Sequence, residues 1–117
     1  MLLFPTQYDS FANVIGEALC CGLPVITTKQ AGGAEMIRPG VNGFVAGDMN
    51  ALEELRAFVS RFLDPAFRRA AAAQAPAAVQ QYTIARCAAE TEAVLLKAYA
   101  EKRKWCAIKD LNLGPTD

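Results

Sequence analysis

The feature that most constrains the fold of this chain is a run of four β-branched residues, Val25-Ile26-Thr27-Thr28, enclosed between turn residues. Gly22 and Pro24 precede the run, and Gly32-Gly33 follow it. A short run that is β-branched at every position is typical of a strand buried on both faces, as in parallel sheets. Because parallel strands need crossover connections, the run predicts an α/β fold with helices covering the sheet.

Two further segments fit the same sheet, namely Leu2-Leu3-Phe4 and Gly43-Phe44-Val45-Ala46. Residues 11–21 have apolar residues at helical spacing, and Gly22 is placed to end that helix. The alternation of short strands and helices predicts a parallel sheet with right-handed crossovers. Three strands do not complete a doubly wound sheet, so we expect further strands or a partner domain to complete it.

The second half of the chain is rich in alanine and predicts helices over residues 50–104. Asp64-Pro65 opens one of them, and Thr83 caps a last long helix that is expected to end near Lys104. Residues 105–117 show little periodicity and are expected to form a tail. The predicted fold is therefore a partial Rossmann-like parallel sheet followed by C-terminal helices, in one domain over residues 1–104.

Composition excludes several function classes. The 117 residues have a formal net charge of +0, so a strongly basic nucleic-acid binder is not expected. The chain contains no histidine, which excludes a Ser-His-Asp or Cys-His nucleophile and any histidine-containing zinc site within it. We therefore expect no metal site and no nucleic-acid partner.

The cysteines, the apolar runs and residues 1–5 together predict the cellular compartment. No C-x-x-C motif occurs, so we expect reduced, buried thiols of a cytosolic protein. The apolar runs are too short to span a bilayer, and residues 1–5 lack the features of a signal peptide. The expected location is the cytoplasm. The cysteines concerned are Cys20, Cys21, Cys87 and Cys106.

Candidate site residues follow the first two strands, because ligands of open α/β sheets bind outside the carboxyl ends of the strands. The amino end of the helix near Asn13 suits a phosphate, through its oriented amides and the positive end of its dipole. A carboxylate from Glu17 is suited to a ribose diol, and one from Asp9 to a sugar hydroxyl. The alternative is that Asp9 begins a turn and that Glu17 is a solvated helix residue. Gly32-Gly33 allow close approach of a ligand to the backbone, and their alternative is an ordinary flexible turn.

The run from Pro5 to Thr28 resembles the donor-binding region of retaining glycosyltransferases with the GT-B fold, the glycosyl transferases group 1. That family has the pattern P-[ST]-x-x-E-x-F-x-x-x-x-x-E-A-x-x-x-G-x-P-V, followed by G-G-x-x-E and a turn like G-x-N-G-F. The resemblance covers residues 3–48 and departs from the pattern at Asp9, where glutamate is usual. Gly32-Gly33-Ala34-Glu35 is also one residue tighter than the family form. Because of Tyr8-Asp9-Ser10-Phe11 the sequence is similar to bacterial lipopolysaccharide-core enzymes.

The resemblance implies a role for each matched residue. Asp9 is the catalytic position that contacts the donor sugar, and Glu17 holds the nucleotide ribose. The reaction implied is transfer of a sugar from a nucleotide diphosphate to a glycan or lipid-linked acceptor, with retention and without a cofactor. The backbone of Phe11, Ala12, Asn13 and Val14 meets the diphosphate, while Gly32 and Gly33 line the donor-sugar side.

The resemblance also implies partners. The family's N-terminal GT-B domain and the upstream Arg and Lys that neutralise the diphosphate do not match any part of this chain, so we expect the isolated chain to be inactive. The alternative is a non-catalytic, truncated fragment for nucleotide binding or interaction. A sugar-nucleotide epimerase of the same fold would need additional acids and histidine.

Basic residues near the end of the last long helix indicate a contact with a membrane surface, which would place the enzyme at the inner membrane. The alternative is a solvated helix end whose cations favour the helix dipole. The residues are Lys97, Lys102, Arg103 and Lys104, with Trp105 beside them.

Overall fold

The computed structural model describes the backbone of residues 1–111 and the side chains of residues 1–102. The chain forms two compact units, Met1–Gln81 and Tyr82–Asp117. The first unit contains three strands, three α-helices and two short 3₁₀ segments, and the described part of the second is one helix. The strands are β1 (Leu2–Phe4), β2 (Val25–Thr28) and β3 (Gly43–Ala46); the helices are α1 (Asn13–Cys20), α2 (Leu52–Arg61), α3 (Pro65–Gln74) and α4 (Ile84–Leu111); the 3₁₀ segments are Gly32–Met36 and Pro76–Ala78.

The strands form one parallel sheet in the order β1-β2-β3, as the β-branched run predicts. Val25 pairs with Leu2 on one side and with Gly43 on the other. The hydroxyl of Thr27 donates to the Phe4 carbonyl at 2.8 Å, which satisfies a buried polar side chain inside the sheet. The predicted α/β class with a partial parallel sheet and following helices is confirmed.

Each face of the sheet covers its own apolar core, because successive side chains of a strand point to opposite faces. Val25 packs with Ile15 and Leu19 of α1. Its neighbour Ile26 packs on the other face with Leu55 of α2 and with Ala71 of α3. Helices therefore cover both faces of β2, and this explains why all four of its residues are buried.

One helix end and two helix starts lie where the sequence predicts them. Gly22 ends α1 with a φ of 71°, a conformation that glycine adopts without a Cβ penalty. The Asp64 carboxylate accepts from the Ala66 amide at 2.9 Å and Pro65 begins α3, so this predicted helix start is confirmed. The Thr83 hydroxyl likewise accepts from the Arg86 amide at 3.2 Å, at the start of α4.

Two expectations about the second half of the chain and the cysteines are wrong. Helix α4 continues to Leu111, past its expected end at Lys104, because no glycine or proline interrupts residues 105–111. The thiols of Cys20, Cys21 and Cys87 are exposed rather than buried. Cys106 lies outside the described side chains.

The membrane-contact residues are only partly described. Lys97 and Lys102 are exposed on α4, as are all its described residues up to 102. Arg103, Lys104 and Trp105 lie outside the described side chains, and the predicted tail lies outside the described residues from position 112 onward. Within the described chain, no helix is both long enough and apolar enough to span a bilayer. The domain limits of 1–104 and 105–117 stay a prediction.

Strand β1 has the composition of an interior strand but lies at an edge of this sheet. Leu3 is the register partner of Ile26, yet Leu3 is 46% exposed whereas Ile26 is completely buried. The helices that cover Ile26 therefore do not extend over β1. An all-apolar strand with one uncovered face is typical of a sheet that another segment completes.

Candidate functional site

Two loops at the carboxyl edge of the sheet are bonded to each other through their backbones. We call residues 5–12, after β1, the first site loop, and residues 29–33, after β2, the second site loop. The Asp9 amide donates to the Gln30 carbonyl at 3.3 Å, and the Gly32 amide donates to the Asp9 carbonyl at 2.8 Å. These bonds form a short parallel bridge around Asp9, which brings two segments separated by more than twenty residues into direct contact.

The Asp9 carboxylate bonds two backbone amides just before helix α1, whose N-cap residue is Ala12. Its Oδ1 accepts from the Phe11 amide at 3.1 Å and from the Ala12 amide at 2.6 Å. The first of these bonds is an Asx turn, in which a short acidic side chain bonds the backbone two residues later. The alternative in which Asp9 begins a turn is therefore correct as geometry. The turn uses only Oδ1, and Oδ2 makes no hydrogen bond with any described residue.

The chain enters α1 through a strained residue. Ala12 has a φ of 52° and a ψ of 65°, the left-handed conformation that costs a non-glycine residue about 1–2 kcal/mol. It is buried in the first core, and the Asp9 carboxylate bonds its amide. This packing and this hydrogen bond keep Ala12 in the strained conformation.

The four backbone positions predicted for the diphosphate fall into two pairs. The amides of Phe11 and Ala12 are occupied by the Asp9 carboxylate. The amides of Asn13 and Val14 have no acceptor among the described residues, and both residues are exposed. The first turn of α1 therefore has two unpaired, accessible amides at the positive end of the helix dipole.

Glu17 lies on the exposed face of the same helix. It is two residues from both Ile15 and Leu19, which face the core, so its side chain projects to the opposite side. Asn13 is one turn earlier on that face, at about 5–6 Å between Cβ atoms. The Glu17 carboxylate makes no hydrogen bond with a described residue. It is therefore accessible to a ligand that also contacts the first turn of α1.

The two glycines of the second site loop differ in their surroundings. A Cβ on Gly32 would overlap the Ser10 carbonyl oxygen, so glycine is needed where the two site loops meet. Gly33 is buried, and a Cβ there would lie 2.9 Å from the Phe11 carbonyl oxygen and 3.2 Å from Ile15. Both glycines thus permit the contact between the loops, while Gly32 also lies at the surface. Their role at the donor sugar stays a prediction.

The turn before β3 has its positive φ at Gly40, at 78°. The Asn42 side chain in this turn is buried, accepting from the Arg38 amide at 2.7 Å and donating to the Met36 carbonyl at 3.2 Å. Gly43 allows close approach of β3 to β2, since a Cβ there would overlap the Val25 carbonyl oxygen.

The resulting arrangement suits an elongated anionic ligand with hydroxyl groups. Two unpaired amides are placed for a phosphate, with a carboxylate oxygen of Asp9 on one side and the Glu17 carboxylate one turn along the helix. Asp9 already satisfies two amides and adds negative charge, so the helix end alone binds an anion weakly. No group of acidic or cysteine residues in the described chain is arranged to hold a metal ion.

The sequence predicts Asp9 as a ligand residue and offers a turn at Asp9 only as the alternative. In the structure the Asp9 carboxylate forms that turn by accepting from the Phe11 and Ala12 amides. The available signal was an aspartate two residues before the first bonded amide, which is the spacing of an Asx turn.

Comparison with known proteins supports a specific family. The model of the glycosyl transferases group 1 matches residues 1–65. Sucrose synthase 7 of Oryza sativa subsp. japonica is 43% identical over 49 residues, which is 42% of this chain and 6% of the relative. A sucrose synthase of Melioribacter roseus is 38% identical over 63 residues, covering 54% of this chain and 8% of that protein.

A solved structure shows the same architecture. Sucrose-phosphate synthase from Thermosynechococcus elongatus superimposes with a TM-score of 0.66 at 27% identity. The match covers 85% of this chain and 25% of that chain. The present chain thus spans less than a tenth of these curated relatives and a quarter of the solved one. Since the family match extends over more than half of its residues and includes both site loops and β1 to α2, the chain belongs to the glycosyl transferases group 1, which have the GT-B fold.

Proposed function

We propose that this chain is the donor-binding part of a retaining glycosyltransferase. It binds a nucleotide diphosphate sugar and presents it to a hydroxyl group of a glycan or lipid-linked acceptor. The observation that supports this most is the bridge between the two site loops, which holds Asp9 beside Gly32 within the segment matched to the family. In this arrangement the Asn13 and Val14 amides contact the diphosphate, Glu17 the ribose and Asp9 the sugar.

The proposed mechanism needs no covalent nucleophile from this chain. The amides of α1 stabilise the negative charge that develops on the leaving diphosphate, and Asp9 orients the sugar by accepting from one of its hydroxyls. The bond from the sugar to the diphosphate breaks, the acceptor hydroxyl attacks on the face that the diphosphate leaves, and its proton passes to the departing diphosphate oxygen. Attack on that face retains the configuration. The proposed chemistry is therefore positioning and charge stabilisation, with no cofactor.

The acceptor and the location belong to the same proposal. The relatives reported above are named for sucrose, whereas Tyr8-Asp9-Ser10-Phe11 favours a lipopolysaccharide-core acceptor. Both acceptor classes present a sugar hydroxyl, and transfer to fructose or to a core oligosaccharide would distinguish them. The exposed thiols of Cys20, Cys21 and Cys87, unpaired within the described chain, favour a reducing compartment such as the cytoplasm. A lipid-linked acceptor would place the enzyme at the inner membrane surface.

Binding of the ribose by Glu17 can be tested on the 117-residue chain. We expect Glu17→Gln to lower the affinity for a nucleoside diphosphate by about tenfold, because a hydrogen bond to a charged group is lost. Titrations with UDP, ADP and GDP, followed by amide shifts of Asn13 and Val14, would measure this. Glu92→Gln on α4, also exposed, is the matched control and should change nothing. Equal affinities of the wild type and Glu17→Gln would contradict the assignment.

A second candidate is a non-catalytic fragment that binds a nucleotide or another chain. It is favoured by the uncovered face of β1 at Leu3. Under the leading proposal this same face marks where the N-terminal GT-B domain joins, with the cationic residues that neutralise the diphosphate supplied from outside this segment. We therefore propose that domain as the partner.

The activity of the isolated chain tests whether sugar transfer requires a second domain. We expect no measurable sugar transfer by the purified 117-residue chain, because charge stabilisation on the diphosphate needs cations from outside this segment. The measurement is radiolabelled transfer from UDP-glucose, ADP-glucose and GDP-mannose to fructose and to core oligosaccharide. Turnover by the chain alone would refute the requirement for a second domain.

A further inference from the structure

We infer that Thr28, together with the Thr6 hydroxyl, is a positioning residue that holds the first site loop in the shape that binds the donor. The inference rests on the proposed function and adds to it a residue that acts through the backbone of the loop rather than on the ligand. Thr28 is the last residue of β2 and is completely buried. Its hydroxyl donates to the Thr6 carbonyl at 2.6 Å, although the two residues are 22 positions apart.

Thr28 bonds the first site loop just beyond the point where the pairing of β1 ends. The register pairs of β1 and β2 end at Phe4 and Thr27, and Pro5 follows without an amide hydrogen for a further ladder bond. On its other side Thr28 still pairs with Ala46 of β3. Its backbone is therefore fixed in the sheet, and the branching at its Cβ makes the side chain stiff. The Thr28 hydroxyl thus bonds the loop to the sheet where the backbone ladder has ended.

Further hydrogen bonds continue from this contact to both site loops. The Thr6 hydroxyl donates to the Tyr8 carbonyl at 3.2 Å, and the next amide, that of Asp9, donates to the second site loop at 3.3 Å. The Thr28 carbonyl accepts from the Ala31 amide of the second site loop at 3.2 Å. Thr28 consequently bonds the first site loop through its side chain and the second through its backbone.

The shape of the first site loop matters because it places the Asp9 carboxylate at the start of α1. That carboxylate bonds the Phe11 and Ala12 amides, next to the unpaired amides of Asn13 and Val14. If the loop moved away from the sheet, the carboxylate would move with it and the arrangement would be lost. The apparent affinity of a site falls in proportion to the fraction of molecules that hold the binding arrangement. The buried hydroxyl therefore increases the affinity by keeping that fraction high.

Thr27 provides a matched control in the same strand. It is also completely buried, and its hydroxyl donates to the Phe4 carbonyl at 2.8 Å. Phe4 belongs to β1 and is paired in the sheet, whereas the Thr6 carbonyl lies in the loop beyond it. Replacing either threonine by valine leaves one carbonyl without its hydroxyl donor, which lowers stability in both cases. Only the change at Thr28 releases the site loop.

The test measures denaturant unfolding and the affinity for UDP, ADP and GDP in variants of the 117-residue chain. We expect Thr28→Val and Thr27→Val to lower the unfolding midpoint to a similar extent. Thr28→Val should also weaken binding of the diphosphate that the wild type prefers by about tenfold, because the hydrogen bond that holds the loop is lost. Thr27→Val should leave this affinity unchanged. Thr28→Ser keeps the hydroxyl and should restore the wild-type affinity.

A second variant and a measurement without ligand test the same contact. Thr6→Val removes an exposed hydrogen bond of the loop, so we expect it to keep the fold and to weaken binding by about threefold. The Asp9 and Gly32 amides, which join the two site loops, should exchange their hydrogens faster in Thr28→Val than in Thr27→Val. If Thr28→Val does not fold, an unchanged affinity of Thr6→Val would overturn the inference.

The outcomes separate the inference from the proposed function. Equal affinities of Thr28→Val and the wild type would overturn the inference, since the hydroxyl would then serve stability alone. Equal losses of affinity in Thr28→Val and Thr27→Val would overturn it as well. Either result leaves the proposed function standing, because the wild type still binds the diphosphate. Absence of binding of every diphosphate to the wild-type chain would instead overturn the proposed function and the inference together.

Discussion

Replacing Gly32 by alanine is expected to destabilise the Met1–Gln81 unit by about 2–3 kcal/mol and to abolish binding of the diphosphate. The added Cβ would overlap the Ser10 carbonyl oxygen and lie 2.8 Å from its carbonyl carbon. Both are backbone atoms of the first site loop, so the loop itself must move, and overpacking of this kind costs about this much. Denaturant unfolding with the diphosphate titration measures both effects.

Gly16→Ala is the matched control, with the opposite expected sign. Gly16 lies inside α1, and a Cβ there would meet the Met36 sulfur at an ordinary 3.7 Å. Alanine in a helix interior is favoured over glycine by about 0.5–1 kcal/mol, so this variant should be more stable than the wild type. If Gly32→Ala were as stable as Gly16→Ala, the two site loops would not be in the close contact described above.

Substitutions of Asp9 are expected to separate its role in the turn before α1 from its proposed contact with the sugar. Asp9→Asn keeps an oxygen for the Phe11 and Ala12 amides, and asparagine forms Asx turns as aspartate does. Stability should therefore hold, while the preference for nucleotide sugar over diphosphate falls by about tenfold because the charged acceptor is lost. Titrations of UDP against UDP-glucose, ADP against ADP-glucose and GDP against GDP-mannose measure the preference as the ratio of the two dissociation constants in each pair.

Asp9→Ala removes both roles. We expect a loss of about 1–2 kcal/mol in the free energy of unfolding, because two backbone amides lose their hydrogen-bond acceptor. The same change leaves the amides of Phe11 and Ala12 unpaired and removes a negative charge from the helix end. The affinity for the free diphosphate should consequently rise while the sugar preference disappears. A variant in which both affinities fall together would contradict the separate roles assigned to Asp9.

The elements of the fold were largely predictable because their causes are local. The β-branched composition of Val25–Thr28 identified the central strand, and Gly22 identified the end of α1. Asp64-Pro65 and Thr83 identified two helix starts through side-chain oxygens that bond amides two or three residues later. Helix α4 is longer than the sequence predicts, because a loss of hydrophobic periodicity after Lys104 does not end a helix whose residues remain helix-forming.

The sequence proposes the residues of the candidate site but not their geometry. The spacing and resemblance selected Asp9, Glu17 and the glycines, and α1 places Glu17 on an exposed face as its spacing from Ile15 and Leu19 requires. The amides of Phe11 and Ala12 are occupied and those of Asn13 and Val14 are free. This difference depends on the orientation of the Asp9 side chain. That orientation follows from where the second site loop holds the Asp9 backbone.

What the sequence alone determined is the order of strands and helices, their parallel arrangement and the two loops in which chemistry-bearing residues lie, because strand burial, capping and turn residues act over a few positions. What only the tertiary structure decided is that the Asp9 carboxylate bonds the Phe11 and Ala12 amides before α1, and that Leu3 stays uncovered beside a buried Ile26. The same holds for the exposed ring of Tyr8, whose backbone carbonyl accepts from the Thr6 hydroxyl. These features depend on backbone contacts between segments far apart in the chain, such as Gly32 to Asp9, and no local pattern specifies such contacts.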